Sequence, residues 1–248
     1  MYQNIYFDGR SIHLWDDKLG YRKTPYKRYA YLYDKGGKFT ALDGTRLKKV
    51  FRYDKEDENL YESDVIATTR TLVDQYTDSD EPSVGHRTMV FDIEVEVTEG
   101  FPSPAKAENK ITAIALWDSV TDEYYCYILD PENKLEIESE NRVLKKGNNT
   151  IIGFKSEIEM LNAFLGKYCE IRPTIITGWN TDNFDIPYLY NRVYQLLGQE
   201  FAGLLSPIGV VKYSEYRQRF EIAGVSSLDY LALYKKFTPS LKPSYRLD

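Results

Sequence analysis

A mixed α/β core preceded by a small β-rich domain is the architecture that the 248-residue sequence predicts. Three observations carry it. Apolar and polar residues alternate with the two-residue period of a strand in FDIEVEV (91–97), ITAIALWD (111–118) and EYYCYILD (123–130). The period then changes to that of a helix over residues 156–168 and 185–197, with a wholly apolar run, PTIITGW (173–179), between them. Earlier in the chain, short strand-like runs are punctuated by turn residues at Asp8-Gly9, Lys35-Gly36-Gly37 and Asp43-Gly44.

In order along the chain, the first part reads as these strands followed by a helix near 63–75. Segment 73–87, VDQYTDSDEPSVGHR, is polar, acidic and broken by Pro82 and Gly85, which marks a boundary between a first domain at 1–87 and a second at 88–248. Strand 89–97 is followed by a loop with Gly100, Pro102 and Pro104, and the two alternating runs after it complete an antiparallel meander. Ser156 and Glu159 form a capping box for a helix whose apolar positions are Ile158, Leu161, Phe164, Leu165 and Tyr168. After the apolar strand comes a helix at about 185–197, with Ile186, Leu189, Tyr190, Val193, Leu196 and Leu197 on one face and Gly198 as its stop. A hairpin, VVKYSEYRQRFEIAG (210–224), and a helix from Ser226 or Ser227 to Phe237 end the pattern. Three antiparallel strands, helix, parallel strand, helix is the order of a ribonuclease-H-like core, a mixed sheet flanked by helices.

Composition narrows the chemistry. Hydrophobic residues at 42% and aromatics at 15% suffice for a buried core. No apolar run approaches the roughly 20 residues of a membrane span, and MYQNIYFDGR lacks the basic and apolar regions of a signal peptide. A soluble, cytoplasmic chain with no membrane partner is the expectation. Cys126 and Cys169 lie far apart, and His13 and His86 are isolated, so a zinc site or disulfide framework is not expected and any metal must be held by carboxylates. The net charge of −6 is unevenly spread: residues 1–52 carry 12 Lys/Arg against 5 Asp, whereas residues 53–100 carry 3 against 14 acids. In YRKTPYKRYAYLY, Arg22, Lys23, Lys27 and Arg28 are interleaved with tyrosines. That mixture suits single-stranded nucleic acid, and equally an ordinary β domain with tyrosines inside and bases outside.

The alternation of FDIEVEV sets Asp92, Glu94 and Glu96 along one face. Two readings compete: a solvated acidic face, or carboxylates whose repulsion is relieved by a divalent cation, since Mg²⁺ takes oxygen ligands. A further acid, Asp185, falls where a strand end gives way to a helix, with Pro187 in the first turn; it either faces the first strand or merely caps the helix.

FDIEV with its Gly-Phe-Pro loop, and GWNTDNFDIPYLYNR further on, resemble the first and second exonuclease motifs of B-family DNA polymerases, most nearly those of large tailed bacteriophages. The likeness extends through 88–248, while 1–87 matches only the place and type of that family's N-terminal domain. It implies proofreading hydrolysis from the primer 3′ end by two metal ions, Mg²⁺ or Mn²⁺, within a DNA polymerase acting in DNA replication, in the host cytoplasm if the source is viral. By the resemblance, Asp92 bridges the metals, Glu94 binds the one that activates water, and Asp185 holds the second. Asn180 and Phe184 shape the pocket, Phe101 stacks on terminal bases, and Lys212 and Arg217 lie on a hairpin that helps part primer from template or is plain surface. Glu96 has no counterpart in the motif. DNA, the rest of the polymerase chain and replisome proteins are the implied partners. An RNA-binding module working through residues 1–52 is the alternative.

The resemblance has a gap. No tyrosine after Asp185 has an aspartate four residues later, Tyr245 and Asp248 being three apart, so the family's Tyr-x-x-x-Asp motif is missing and the chain is expected to be the N-terminal portion of a longer polymerase. Asp229, read as lying on the last helix, is the one substitute acid. Short of the final carboxylate, these 248 residues are expected to degrade DNA very slowly or not at all. Vigorous Mg²⁺-dependent degradation, abolished by Asp92→Ala, would show this expectation wrong.

Overall fold

The computed structural model describes every residue except Lys55, Glu99, Glu138, Pro239, Leu241, Leu247 and Asp248. It divides into two compact units, Met1–Val84 and Gly85–Asp248. The Tyr245 and Asp248 pair considered from the sequence includes a position outside the described residues.

In the first unit, Gly9 and Gly20 occupy left-handed conformations that glycine adopts without a Cβ penalty, and they turn β1 (Tyr2–Phe7), β2 (Ser11–Asp16) and β3 (Gly20–Pro25) into an antiparallel sheet. A second small sheet has the order β4 (Ala30–Tyr33), β6 (Arg46–Val50), β5 (Phe39–Thr40). Helix α1 (Ala67–Tyr76) starts four residues later than expected. Part of the basic and aromatic mixture is engaged within the unit, while Tyr21, Lys23, Lys27 and Tyr33 stay exposed. Tyr29 is buried, with the Arg70 guanidinium 4.3 Å from its ring centre and the Lys49 ammonium 3.8 Å from it, while its hydroxyl donates to Asp74. Arg28 lies over Tyr53 and donates to the Ser63 carbonyl, and Lys23 pairs with Asp8.

The second unit is built on a seven-stranded mixed sheet. Its strands are β7 (Thr88–Val95), β8 (Ile111–Asp118), β9 (Glu123–Leu129), β10 (Val143–Lys146), β11 (Asn149–Phe154), β12 (Ile175–Gly178) and β15 (Ser226–Asp229), in the order β10-β11-β9-β8-β7-β12-β15. The expected meander is β7-β8-β9, and β12 joins β7 in parallel, as the ribonuclease-H-like order requires. The hairpin β10–β11 widens the sheet beyond the expectation. Its only sequence cue is the Gly147-Asn148 turn.

Helices α2 (Glu157–Ile171) and α3 (Asp185–Leu197) share one buried cluster with Met89, Phe91 and Ile93 of β7. The α2 cap forms as expected, with the Glu159 N–H donating to the Ser156 hydroxyl; Ile158, however, faces out, and Met160 takes the core position. A short α4 (Gln199–Gly203) follows, then the hairpin of β13 (Val211–Ser214) and β14 (Arg219–Ile222). The expected helix from Ser226 is corrected. Residues 226–229 instead pair in parallel with β12, the Thr177 hydroxyl donating to the Leu228 carbonyl, and α5 (Tyr230–Phe237) begins only after Asp229 caps it.

Gly178 closes β12 against β7 more tightly than a side chain allows. A Cβ there would stand 2.4 Å from the Phe91 carbonyl oxygen and 2.5 Å from Thr181 Cγ2. Gly178→Ala is therefore expected to lower stability by about 3 kcal/mol through forced separation of the strands, read as a shift in the urea midpoint with unchanged slope.

Candidate active site

Along β7, Met89, Phe91 and Ile93 are buried while Val90, Asp92 and Glu94 face outward, so strand alternation alone puts the two acids side by side. Glu96 does not join them. The β7–β8 register shifts between Glu94 and Val95, the strand ends at Val95, and Glu96 instead ties the neck of the β7–β8 loop through its N–H to the Lys110 carbonyl.

Asp185 arrives from the other side. Pairing of β12 with β7 ends at Val90, leaving the edge of β7 open beyond it. The carboxylate of Asp185 fills that opening, its Oδ1 accepting the Ile93 N–H at 3.0 Å. The capping reading is thereby corrected: the N-cap of α3 is Phe184, with no side-chain cap bond, and Asp185 is the first helical residue, only 2% exposed. Asn180 bends the chain into α3 from a left-handed conformation, its carbonyl accepting the N–H groups of Asn183 and Phe184.

The electrostatics follow from this packing. Burial, opposed by the Ile93 N–H and reinforced by the nearby charge of Asp92, pushes Asp185 up to about 7. Asp92 is also raised, first by desolvation in the notch and then by Glu94, although it stays open to solvent. Asp92 thus links the set, raised itself by Glu94 and raising Asp185. Asp229 adds a smaller repulsion on Asp185. It stands at the N-cap of α5 rather than within the helix, and its oxygens already accept the N–H groups of Asn180, Asp182, Leu231 and Ala232. That occupation fits a cap and corrects its reading as a substitute ligand.

Beside the acids, Phe101 and Phe184 meet with ring centres 5.3 Å apart. They border a groove of about 410 Å³ whose walls also include Glu94, Val97 and Pro102. Phe101 is 80% exposed, an aromatic face presented to solvent. The Asn180 side chain is engaged with Asn183. Lys212 and Arg217 are outside this groove: Lys212 lies across the hairpin from Glu221, and Arg217 pairs with the same acid at 3.3 Å. Arg219, the third cation that the sequence sets on the hairpin, bonds Asp182 at 2.8 Å and ties the hairpin to the loop before α3, a contact that no local pattern signals.

Among the described residues, no group of three or more His, Cys, Asp or Glu side chains is arranged to hold a metal ion by itself. The donor set still fits a hard divalent cation in kind. All three donors are carboxylates, two of them are destabilised by like charge, and Mg²⁺ commonly completes its shell with water and phosphate oxygens rather than with a protein cage. No helix among the described residues is long and apolar enough to cross a membrane.

Residues 34–248 match the family model described as DNA polymerase family B, exonuclease domain. The chain is 36% identical over 180 residues to the DNA-directed DNA polymerase of Escherichia phage RB69 and 37% identical over 182 residues to that of Enterobacteria phage T4, in each case covering 64% of this chain and 20% of the relative. Similarity to the DNA polymerase catalytic subunit of Equine herpesvirus 1 (strain Ab4p) is 28% over 183 residues, covering 66% of this chain and 15% of the relative. The chain therefore spans about a fifth of the length of the phage relatives it matches.

A raised buried carboxyl has a definite pH signature. As pH rises from about 4 towards 7, the unfolded chain ionises Asp185 while the folded one keeps its proton, so stability falls across that window and levels off above it. Asp185→Asn keeps an acceptor for Ile93 without the charge. In metal-free protein it is expected to match the wild type below pH 4 and exceed it above pH 7, by up to about 4 kcal/mol, in urea unfolding followed across pH.

Proposed function

Because the chain belongs to the exonuclease domain of DNA polymerase family B, we propose that it carries the 3′-to-5′ proofreading site of a replicative DNA polymerase, with the single-stranded 3′ end of DNA as substrate. The observation that carries this reading is the burial of Asp185 against the open edge of β7, where it feels the charge of Asp92, which in turn feels Glu94. A fold does not ordinarily bury a carboxylate among like charges unless a cation or proton is to join them.

Asp92, whose charge couples to Glu94 and to Asp185, would help hold both of two divalent cations, Mg²⁺ or Mn²⁺; Glu94 would hold the one beside the attacking water, and Asp185 the other. Such ions supply a hydroxide at neutral pH and stabilise the leaving oxyanion. The protein's own part is to orient and to exclude. Phe101 and Phe184 offer apolar faces on which a frayed terminal base stacks, and the adjoining groove keeps the reacting phosphate beside Glu94. Asn180 fixes the turn that delivers Asp185. Lys212 and Arg217 contribute to parting the strands from the hairpin. Residues 88–248 are assigned as the exonuclease domain and 1–87 as the family's N-terminal domain. Other polymerase domains and replisome proteins are the partners this role implies. The RNA-binding alternative through residues 1–52 draws less support, since Arg28 and Lys49 are engaged on tyrosines of their own unit.

Cation binding gives the direct test. Mn²⁺ titrated at pH 8 is expected to raise Tm, and Asp92→Ala or Asp185→Asn to remove most of that rise. With DNA labelled at its 5′ end, any shortening runs from the 3′ end and vanishes in Asp92→Ala, Glu94→Ala. Internal cuts, or shortening that survives the double substitution, would move the chemistry elsewhere, and a Tm indifferent to Mn²⁺ would end the metal reading.

A further inference from the structure

Four polar side chains of α3, Tyr188, Asn191, Arg192 and Gln195, recur at spacings of three and four and so share one face of the helix. They grip the backbone of a single segment. Asn191 donates to the Pro104 carbonyl at 2.9 Å, Gln195 to that of Lys106, and Arg192 to those of Ala107 at 3.1 Å and Glu108 at 3.0 Å; the Tyr188 hydroxyl bonds both the N–H and the carbonyl of Asn109. Arg192 is the anchor of this row. It is buried, and it also makes a two-pronged bond to buried Glu157 of α2 at 2.8 and 2.7 Å, while Glu157 accepts the Ile111 N–H at the start of β8.

The gripped segment is the returning limb of the β7–β8 loop, and Phe101 is on the outgoing limb. The loop's neck is tied by Glu96 to Lys110 and by Asn109 to the Glu96 carbonyl, so the returning limb sets where the outgoing one stands. The same helix begins with Asp185 and is capped by Phe184, on which Phe101 rests. One rigid rod therefore holds both an acid of the notch and the support of its aromatic wall.

We propose that Arg192 is a positioning residue for capture of the strand end: through Ala107 and Glu108 it fixes the loop so that Phe101 stays paired with Phe184 beside the acids. Arg192 touches no nucleotide itself. This role rests on the proofreading reading above, and it reaches the DNA only through the loop.

Arg192→Met alone would strand the Glu157 charge in the core, so the variant to use is Glu157→Gln, Arg192→Met, which removes both charges together. Two measurements on the full chain decide. In DNA-free protein, amide exchange at residues 104–109 is expected to quicken by roughly tenfold while the α2 core amides keep their wild-type protection. With Ca²⁺ present, the Kd for a single-stranded oligonucleotide of about 12 nucleotides ending in 3′ 2-aminopurine is expected to rise about tenfold, the value of one stacked base. Phe101→Ala should do the same, and adding it to the double variant should cost nothing further. Unchanged exchange at 104–109, or losses from Phe101→Ala and the double variant that simply multiply, would overturn the proposal. Failure of the underlying reading looks different: exchange quickens as expected, but wild-type protein binds a 3′-blocked oligonucleotide as tightly as a free one, and the capture role falls with it.

Discussion

The hydrogen bond from the Ile93 N–H to Asp185 is the constraint around which the second unit is arranged. β7 continues five residues past the end of its pairing with β12, and a strand edge left bare inside a packed core would orphan its N–H, at a cost of about 1–3 kcal/mol. A carboxylate from the next helix takes the place of the absent strand. That substitution fixes the start of α3, requires the left-handed turn at Asn180, and brings β12 close enough to β7 that residue 178 must be glycine.

The arrangement also creates a conflict that the chain alone does not resolve. Asp185 is buried and has the charge of Asp92 beside it, and the N–H groups of Ile93 and of Asp185 itself compensate only in part. Asp229, a few residues away in space, shows the contrasting solution: four N–H groups satisfy it and order two loops. One acid is spent on architecture and the other is left wanting a positive partner. Local rules are broken where a fold performs chemistry, and the membership of this chain in the exonuclease domain of DNA polymerase family B agrees with where the break occurs.

Legibility in the sequence followed the range of the forces. Alternation in FDIEV set Asp92 and Glu94 on one face, and the helical period from Ile186 to Leu197 ran the length of α3, because both are local patterns read from adjacent residues. The exclusion of Glu96 was not readable, since a register shift depends on the partner strand. Ser226–Asp229 was misread because its serines resemble a helix cap until a parallel neighbour claims the backbone. Asp185 was ambiguous for the same reason: cap or ligand is decided by whether β12 reaches as far as Ile93. The role of Arg192 had one faint signal, a charge set close to the apolar stripe of Leu189 and Val193. Its partner Glu157 sits 35 residues earlier, and no local pattern connects them.

The inward folding of cations in the first unit bears on how that surface would meet a polyanion. A phosphate chain gains affinity by releasing condensed counterions, and the salt slope for a single strand grows by about 0.7 for each phosphate neutralised. Within residues 1–52, Arg28 lies over Tyr53 and bonds the Ser63 carbonyl, and Lys49 lies on the Tyr29 ring, so each would meet a phosphate only by giving up contacts within its own unit. The formal surplus of positive charge in residues 1–52 therefore overstates the counterions that this unit could displace. Any attraction of this unit for nucleic acid would be shallower, and less sensitive to ionic strength, than its composition suggests.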